Sequence, residues 1–286
     1  MAWSRRRVAV WALALGTATL VIGMGVAGGA KLKTKSASET LSPDEFDSVT
    51  AKCKKGSKVV SGGFESEFDS PPVTSPFLEV NESRRVGRRG WVTSAFNGGS
   101  SEGDLTSFAY CRGQKLNRVT DTVPAPVGDF VTATAKCPRG TKVISGAFEG
   151  SPIDLVGTTP VLYISESRRA TKRTWEASAH SNGNEVGELT AIAYCGTGKK
   201  PKAKSSSQRI SSDPPDPDTA ELLVRCKRGQ RVVSGGFGSP DDSGEATPRV
   251  LTSMKRGRRG WAVTAFLGST GLPIEVTAYA YCEKKT

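Results

Sequence analysis

Apolar and polar residues alternate with a period of two at several places along the chain. From Trp175 onward, Trp175, Ala177 and Ala179 share one phase, and Glu176, Ser178 and His180 share the other. Trp91/Thr93/Ala95 and Trp261/Val263/Ala265 repeat the Trp phase. A period of two predicts strands, here with Trp inward. The segments Leu105 to Cys111, Leu189 to Cys195 and Val276 to Cys282 alternate as well, but neither phase is polar, which predicts a strand covered on both faces. A Val-Val-Ser-Gly-Gly-Phe segment predicts a further strand, its Gly pair marking a bulge or a close backbone approach. The residues leading into the first Cys and those preceding a basic loop add two more. Five short strands per unit make the protein all-β.

The unit occurs three times. Cys53, Cys137 and Cys226 each open a Cys-x-x-Gly, and Phe64, Phe148 and Phe237 follow 11 residues later. Trp91, Trp175 and Trp261 come next, and each unit closes on Ala-Tyr-Cys at Cys111, Cys195 and Cys282. The organisation expected is a flexible tether at 31–46, a β repeat at 47–113, a linker at 114–127, a second repeat at 128–197, a Pro/Lys/Ser-rich linker at 198–217 and a third repeat at 218–286. These homologous antiparallel repeats form either one pseudo-three-fold, β-prism-like body or three small linked β domains. The long second linker speaks for beads; the small unit, near the lower limit for an independent core, speaks for a shared one.

Six Cys permit 15 pairings. One pair per repeat at matched positions favours Cys53–Cys111, Cys137–Cys195 and Cys226–Cys282, with pairing between units as the rival. Each bridge would compensate for a small core. Residues 1–30 carry Arg5, Arg6 and Arg7, an uncharged run from Val8 to Ala30, and small residues at its end. This reads as a secretory signal, cleaved after Ala27 or Ala30, or as an uncleaved N-terminal membrane anchor. The expected location is therefore secreted or at the outer face of the cytoplasmic membrane, with the membrane touched only through residues 8–30 and the chain monomeric. Cys in an exported chain are usually disulfides.

The pattern Cys-x-x-Gly…Gly-Gly-Phe…Trp…Ala-Tyr-Cys resembles secreted repeat proteins of bacteria, actinobacteria above all, that lack an assigned function. More distantly it resembles the three-fold β-prism of vitelline membrane outer layer proteins, whose repeats end in a similar apolar-Cys strand. Neither resemblance implies catalytic residues.

The net charge is +12, and each unit gathers four cations just before its Trp. These are Arg84, Arg85, Arg88 and Arg89; Arg168, Arg169, Lys172 and Arg173; and Lys255, Arg256, Arg258 and Arg259. Gly87, Gly90, Gly257 and Gly260 suit tight hairpins. One reading is a solvated turn that protects strand edges. The other is a trivalent surface for anionic wall polymer, acidic polysaccharide, anionic lipid or extracellular DNA, since Arg forks suit phosphate and carboxylate. Asp104, Glu188 and Glu275, near the last strands, are candidate partners for these loops. The single His, His180, has Phe96 and Phe266 as its repeat equivalents. Asp241, Asp242 and Glu245 lack a calcium-loop spacing. No cofactor, metal site or catalytic residue is expected, and no carboxylate pair marks a wall hydrolase. The function expected is an exported, non-catalytic structural or interaction protein, with polyanion binding as the alternative.

Overall fold

A computed structural model of the protein describes residues 31–67, 78–150, 162–181, 185–211, 218–239, 247–267 and 273–284. The described residues form strands and no helix. The first repeat supplies β1 (Lys33–Leu41), β2 (Phe46–Lys52), β3 (Lys58–Glu67), β4 (Leu78–Val86), β5 (Gly90–Asn97) and β6 (Gly103–Arg112). The second supplies β7 (Asn117–Ala125), β8 (Phe130–Lys136), β9 (Lys142–Gly150), β10 (Leu162–Arg169), β11 (Thr174–Ser181) and β12 (Gly187–Gly196). The third supplies β13 (Lys202–Ile210), β14 (Thr219–Arg225), β15 (Gln230–Gly238), β16 (Arg249–Arg256), β17 (Gly260–Phe266) and β18 (Ile274–Lys284).

These strands make three six-stranded antiparallel sheets, ordered β1-β6-β3-β16-β17-β14, β2-β5-β4-β9-β12-β7 and β13-β18-β15-β10-β11-β8. Each sheet takes the first, sixth and third strands of one repeat and the fourth, fifth and second strands of another. The seams pair Ser83 with Phe148, Ser167 with Phe237 and Ser253 with Phe64. The first repeat lends its hairpin to the second, the second to the third, and the third back to the first. The repeats therefore share one cyclically closed body, and the arrangement as beads is excluded.

The repeated sequence motifs become the core of this body. Phe64, Phe148 and Phe237 meet edge-on at its centre, with ring centroids 5.9–6.2 Å apart. Around them each Trp packs against the closing Tyr of the neighbouring repeat: Trp91 on Tyr194, Trp175 on Tyr281 and Trp261 on Tyr110. The indole N–H groups donate to Ser83, Ser167 and Ser253. The buried Ser61, Ser145 and Ser234 donate to the carbonyls of Val233, Val60 and Ile144, closing a ring of hydrogen bonds between repeats. In this way buried hydroxyls and indole nitrogens find partners without water. At one end of the axis the equivalent positions diverge. Arg249 Nη1 donates to Glu79 Oε1 at 3.0 Å, and its guanidinium lies 4.8 Å over the Tyr163 ring. Burial pushes the Glu79 carboxyl up to about 7, with Arg249 pulling it down.

The Gly pair has both of the meanings read from it. The ladder slips between Val59 and Ser61, and again between Val232 and Ser234, just before the glycines. A Cβ on Gly62, Gly146 or Gly235 would stand 2.0–2.2 Å from the indole of Trp91, Trp175 or Trp261. The second glycine is different: a Cβ on Gly63 would meet Ser253 O at 2.3 Å, yet the equivalent residue in the second repeat is Ala147. Overpacking a filled core costs about 1–3 kcal/mol or more. Gly146→Ala is expected at or above the top of that range, because an indole held on two sides cannot retreat, whereas Gly63→Ala should cost clearly less. Urea denaturation midpoints check this; equal losses would show that the Trp cradle is not the reason for the first glycine.

Several expectations need correction. Each repeat has six strands rather than five. The tether 31–46 and the linkers 114–127 and 198–217 contain β1, β7 and β13, whose ladders run along β6, β12 and β18. These strands lie at sheet edges, where Lys, Ser and Thr face water along most of their length. Burial supplies only a weak apolar period there, clearest at Val119, Val123 and Ala125, so their residues read as a linker. Their ends are anchored by the buried Leu32 and Leu41, Leu116 and Ala125, and Pro201 and Ile210, and Ala37, Val119 and Val123 between them pack half-buried against the core. The sixth strands are fully covered on one face only; on the other, Thr106, Phe108 and Tyr279 remain half-exposed. The N-terminal segment 1–30 and the acidic stretch 241–245 lie outside the described residues.

Candidate functional site

Antiparallel pairing sorts the connections between strands into two sets. Turns from second to third strand, from fourth to fifth, and from sixth to the next first strand emerge together at one end. With their flanking strand residues, these connections (31–33, 52–58, 86–90, 112–117, 136–142, 169–174, 196–202, 225–230, 256–260 and 283–284) hold 26 Lys and Arg against one carboxylate, Glu283, which pairs with Arg112 and Arg231. At the opposite end the described connecting residues (41–46, 97–103, 125–130, 185–187, 218–219, 247–249 and 273) carry Asp44, Glu45, Glu102, Asp129, Glu185 and Asp218 against the lone cation Arg249. The folded protein is thus charge-polarised along its strands.

All three basic hairpins lie at the cationic end, but their residues divide into two sets. The six tip residues have their backbones pinned and their side chains outward. Arg88 O and Arg89 O accept the N–H groups of Val59 and Cys53, Lys172 O and Arg173 O those of Val143 and Cys137, and Arg258 O and Arg259 O those of Val232 and Cys226. Gly87 and Gly257 take the left-handed φ of 57° and 62° that each tight tip needs. Arg88, Arg89, Lys172, Arg258 and Arg259 are exposed; Arg173 is half-buried, its Nε donating to Cys137 O at 2.9 Å. Among the described residues none of the six has a carboxylate partner.

The remaining cations work within the fold. Arg84 pairs with Glu82 and Glu149, Arg168 with Glu166 and Glu176, and Arg256 with Glu65. Arg85 and Arg169 lie 4.7 and 4.3 Å over the rings of Tyr194 and Tyr281. The backbone N–H groups of Arg85, Arg169 and Lys255 donate to the hydroxyls of Tyr194, Tyr281 and Tyr110, each at 2.7 Å. Burial lowers the pKa of all three cations, and Arg118 lowers that of Arg85 further. Burial also pushes Tyr194 up to about 12. Arg169 Nη1 is buried without an acceptor. The third hairpin is offset: Met254 takes the position of Arg84, and Lys255 that of Arg85.

Asp104, Glu188 and Glu275 do not approach these loops. They start the sixth strands, which run about 30 Å before reaching the basic end, at roughly 3.3 Å per residue; Asp104 instead accepts from Thr40 at 2.6 Å. Other cations join the site that single hairpins did not suggest, among them Lys54, Lys55, Arg139, Lys199, Lys227 and Arg228. Their location follows from strand direction, which becomes readable only once the first strand of each repeat is recognised. The Trp rings offer no stacking platform, being 98–99% buried.

The disulfides Cys53–Cys111, Cys137–Cys195 and Cys226–Cys282 form at this same end, with Cα atoms 5.7 Å apart. Each joins the end of a second strand in one sheet to a sixth strand in the next, so the three bridges link the three sheets in a ring. They suit an oxidising, extracellular environment. Among the described residues no helix is long and apolar enough to cross a membrane, and no cluster of three His, Cys, Asp or Glu is placed to hold a metal. No family model matches the chain, and no curated protein matches it either.

Proposed function

We propose that this is an exported, non-catalytic interaction protein that docks through its cationic end onto an anionic polymer of the cell envelope, with its acidic end directed away. The observation that carries this reading is the segregation of 26 cations to one end, against the single carboxylate Glu283. A hairpin that only protects a sheet edge needs a charge or two, not a whole end at which cations so far outnumber carboxylates. Three clusters around one axis suit a surface of repeating charges, where modest sites add through avidity. The buried Trp rings leave no aromatic face for stacking bases, which single-stranded nucleic acid sites use. This favours a glycan or phosphopolymer over single-stranded nucleic acid.

Changing Arg88, Arg89, Lys172, Arg173, Arg258 and Arg259 to Ser should abolish adhesion to purified envelope polymer. Exposed charges contribute about 0–1 kcal/mol each, so melting should shift little. For the unaltered protein, six or more phosphate contacts predict a loss of about a thousandfold in affinity between 50 and 200 mM salt. Absence of binding to envelope polymer at low salt overturns the reading, and binding to DNA alone reassigns the ligand.

A further inference from the structure

The cationic end is not uniform. Between the first basic hairpin and the start of the second repeat lies a cleft of about 430 Å³, lined by Lys58, Arg85, Arg88, Lys115 and Arg118 together with Gly87, Leu116 and Asn117. Five cations line it and no acid does. Arg118 keeps a long pair with Glu149, at 3.6 Å, outside the lining. Arg85 is held in place from three directions: its ring stack on Tyr194, its backbone bond to the Tyr194 hydroxyl, and a 3.0 Å bond from Nη1 to Leu116 O. A guanidinium fixed this way donates its other N–H groups with little further loss of freedom.

The two equivalent junctions differ at two of the five positions. In place of Lys58 the second has Lys142, whose Nζ donates to Gly198 O at 2.5 Å, and the third has Arg231, whose Nε donates to Glu283 Oε1 at 2.5 Å. In place of Arg118 they have Ala203 and Thr34. The other four lining cations have cationic equivalents at both junctions, Lys142, Arg169, Lys172 and Lys200, and Arg231, Lys255, Arg258 and Lys31, so the cleft departs from the three-fold pattern by the one added cation Arg118 and by leaving Lys58 without those partners.

We propose that this cleft is a discrete seat for one phosphomonoester group, a terminal or branch phosphate of the anionic polymer; the polymer source rests on the function proposed above. Phosphate is favoured over carboxylate because five cations and no acid around one cleft call for a ligand of more than one charge. A phosphomonoester carries about −1.5 to −2 at pH 7 and accepts on three oxygens. Forked Arg donors match that geometry.

The test uses the intact oxidised protein with glycerol phosphate as the monoester probe and inorganic sulfate as the control, followed by amide chemical shifts. Glycerol phosphate should saturate at one equivalent, with the largest shifts at Gly87, Arg88, Lys115 and Asn117. Affinity should fall several-fold from pH 7.5 to pH 5, as the phosphate loses its second charge near pH 6; sulfate, a dianion at both pH values, should show no such dependence. Lys115→Ala with Arg118→Ala, both away from the core, should weaken glycerol phosphate at least tenfold while the six hairpin-tip cations still hold the polymer at low salt. Shifts spread evenly over the three hairpins, or no saturation, overturn the seat and leave the docking function standing. Sulfate binding as tightly as glycerol phosphate at both pH values overturns the assignment to phosphate. A saturating seat in a protein that holds no polymer at low salt overturns the polymer source and makes the ligand a free phosphate ester.

Discussion

Reducing the three disulfides will unfold the protein, and the loss will begin at the cationic end. A bridge closing a loop of 56–58 residues stabilises by about 4 kcal/mol in the chain-entropy model, so three contribute on the order of 12 kcal/mol if they add. That matches the whole stability of an ordinary domain, roughly 5–15 kcal/mol. The location sharpens the expectation. The bridges link the sheets at the end where cations far outnumber carboxylates, and that repulsion favours splaying of the strand ends. Because salt screens exposed charges, with a Debye length of about 10 Å at 0.1 M, the melting temperature of the reduced chain should rise with salt more steeply than that of the oxidised chain. Thermal melts with and without reductant, at two salt concentrations, measure this. A reduced protein that melts at the same temperature as the oxidised one refutes the structural role given to the bridges.

How far the sequence reveals this fold depends on where burial leaves a trace. Trp91, Trp175 and Trp261 announce their strands because every second neighbour is also buried. The matched cysteines announce their pairing because each repeat must close itself in the same way. β1, β7 and β13 leave only a faint trace. They are edge strands whose stability comes from backbone ladders, which any side chain can accompany, and Lys and Ser there keep the edges from pairing with other chains. What survives in the text is a pair of buried anchors nine residues apart, such as Leu116 and Ala125, a signal too sparse to separate a strand from a linker. The exchange of hairpins between repeats leaves still less. The seam of Ser83 on Phe148 uses the same residue types that a seam within one repeat would use.

The candidate site was legible in part for the same reason. The four cations before each Trp stand out as runs, but runs do not distinguish Arg84, which neutralises Glu82 and Glu149, from Arg88, which faces water. Both are arginines two or three residues from a glycine. Their separation depends on which strand of the neighbouring repeat lies alongside. Nor does the sequence place Lys115 and Arg118 beside Arg85, since the residues that carry them read as a linker. The axial group of Glu79, Tyr163 and Arg249 shows the other side of this: three equivalent positions hold a carboxylate, a phenol and a guanidinium that make sense only together, so the repeats are not interchangeable.

A fragment of two repeats, residues 31–197, will not fold into two-thirds of the protein. It retains the complete sheet β2-β5-β4-β9-β12-β7, but β3 loses β16 and β10 loses β15, which opens the central edges of two half-sheets. Tyr110 loses Trp261, Trp175 loses Tyr281, and the Phe64–Phe148 pair loses Phe237. Removing one large buried aromatic costs about 3–5 kcal/mol; here three aromatic contacts and two seams go at once, against a total of about 5–15 kcal/mol for a whole domain. Exposed inner strands would also pair with other copies. The expected result is a chain without a cooperative melt, aggregating unless the third repeat, residues 198–286, is supplied alongside it. Circular dichroism melts and size-exclusion profiles of the fragment, alone and co-expressed with that partner, decide the matter. A monomeric fragment melting cooperatively near the temperature of the full chain would mean that the repeats stand independently, because a closed cycle of shared sheets leaves no stable place at which to stop after two.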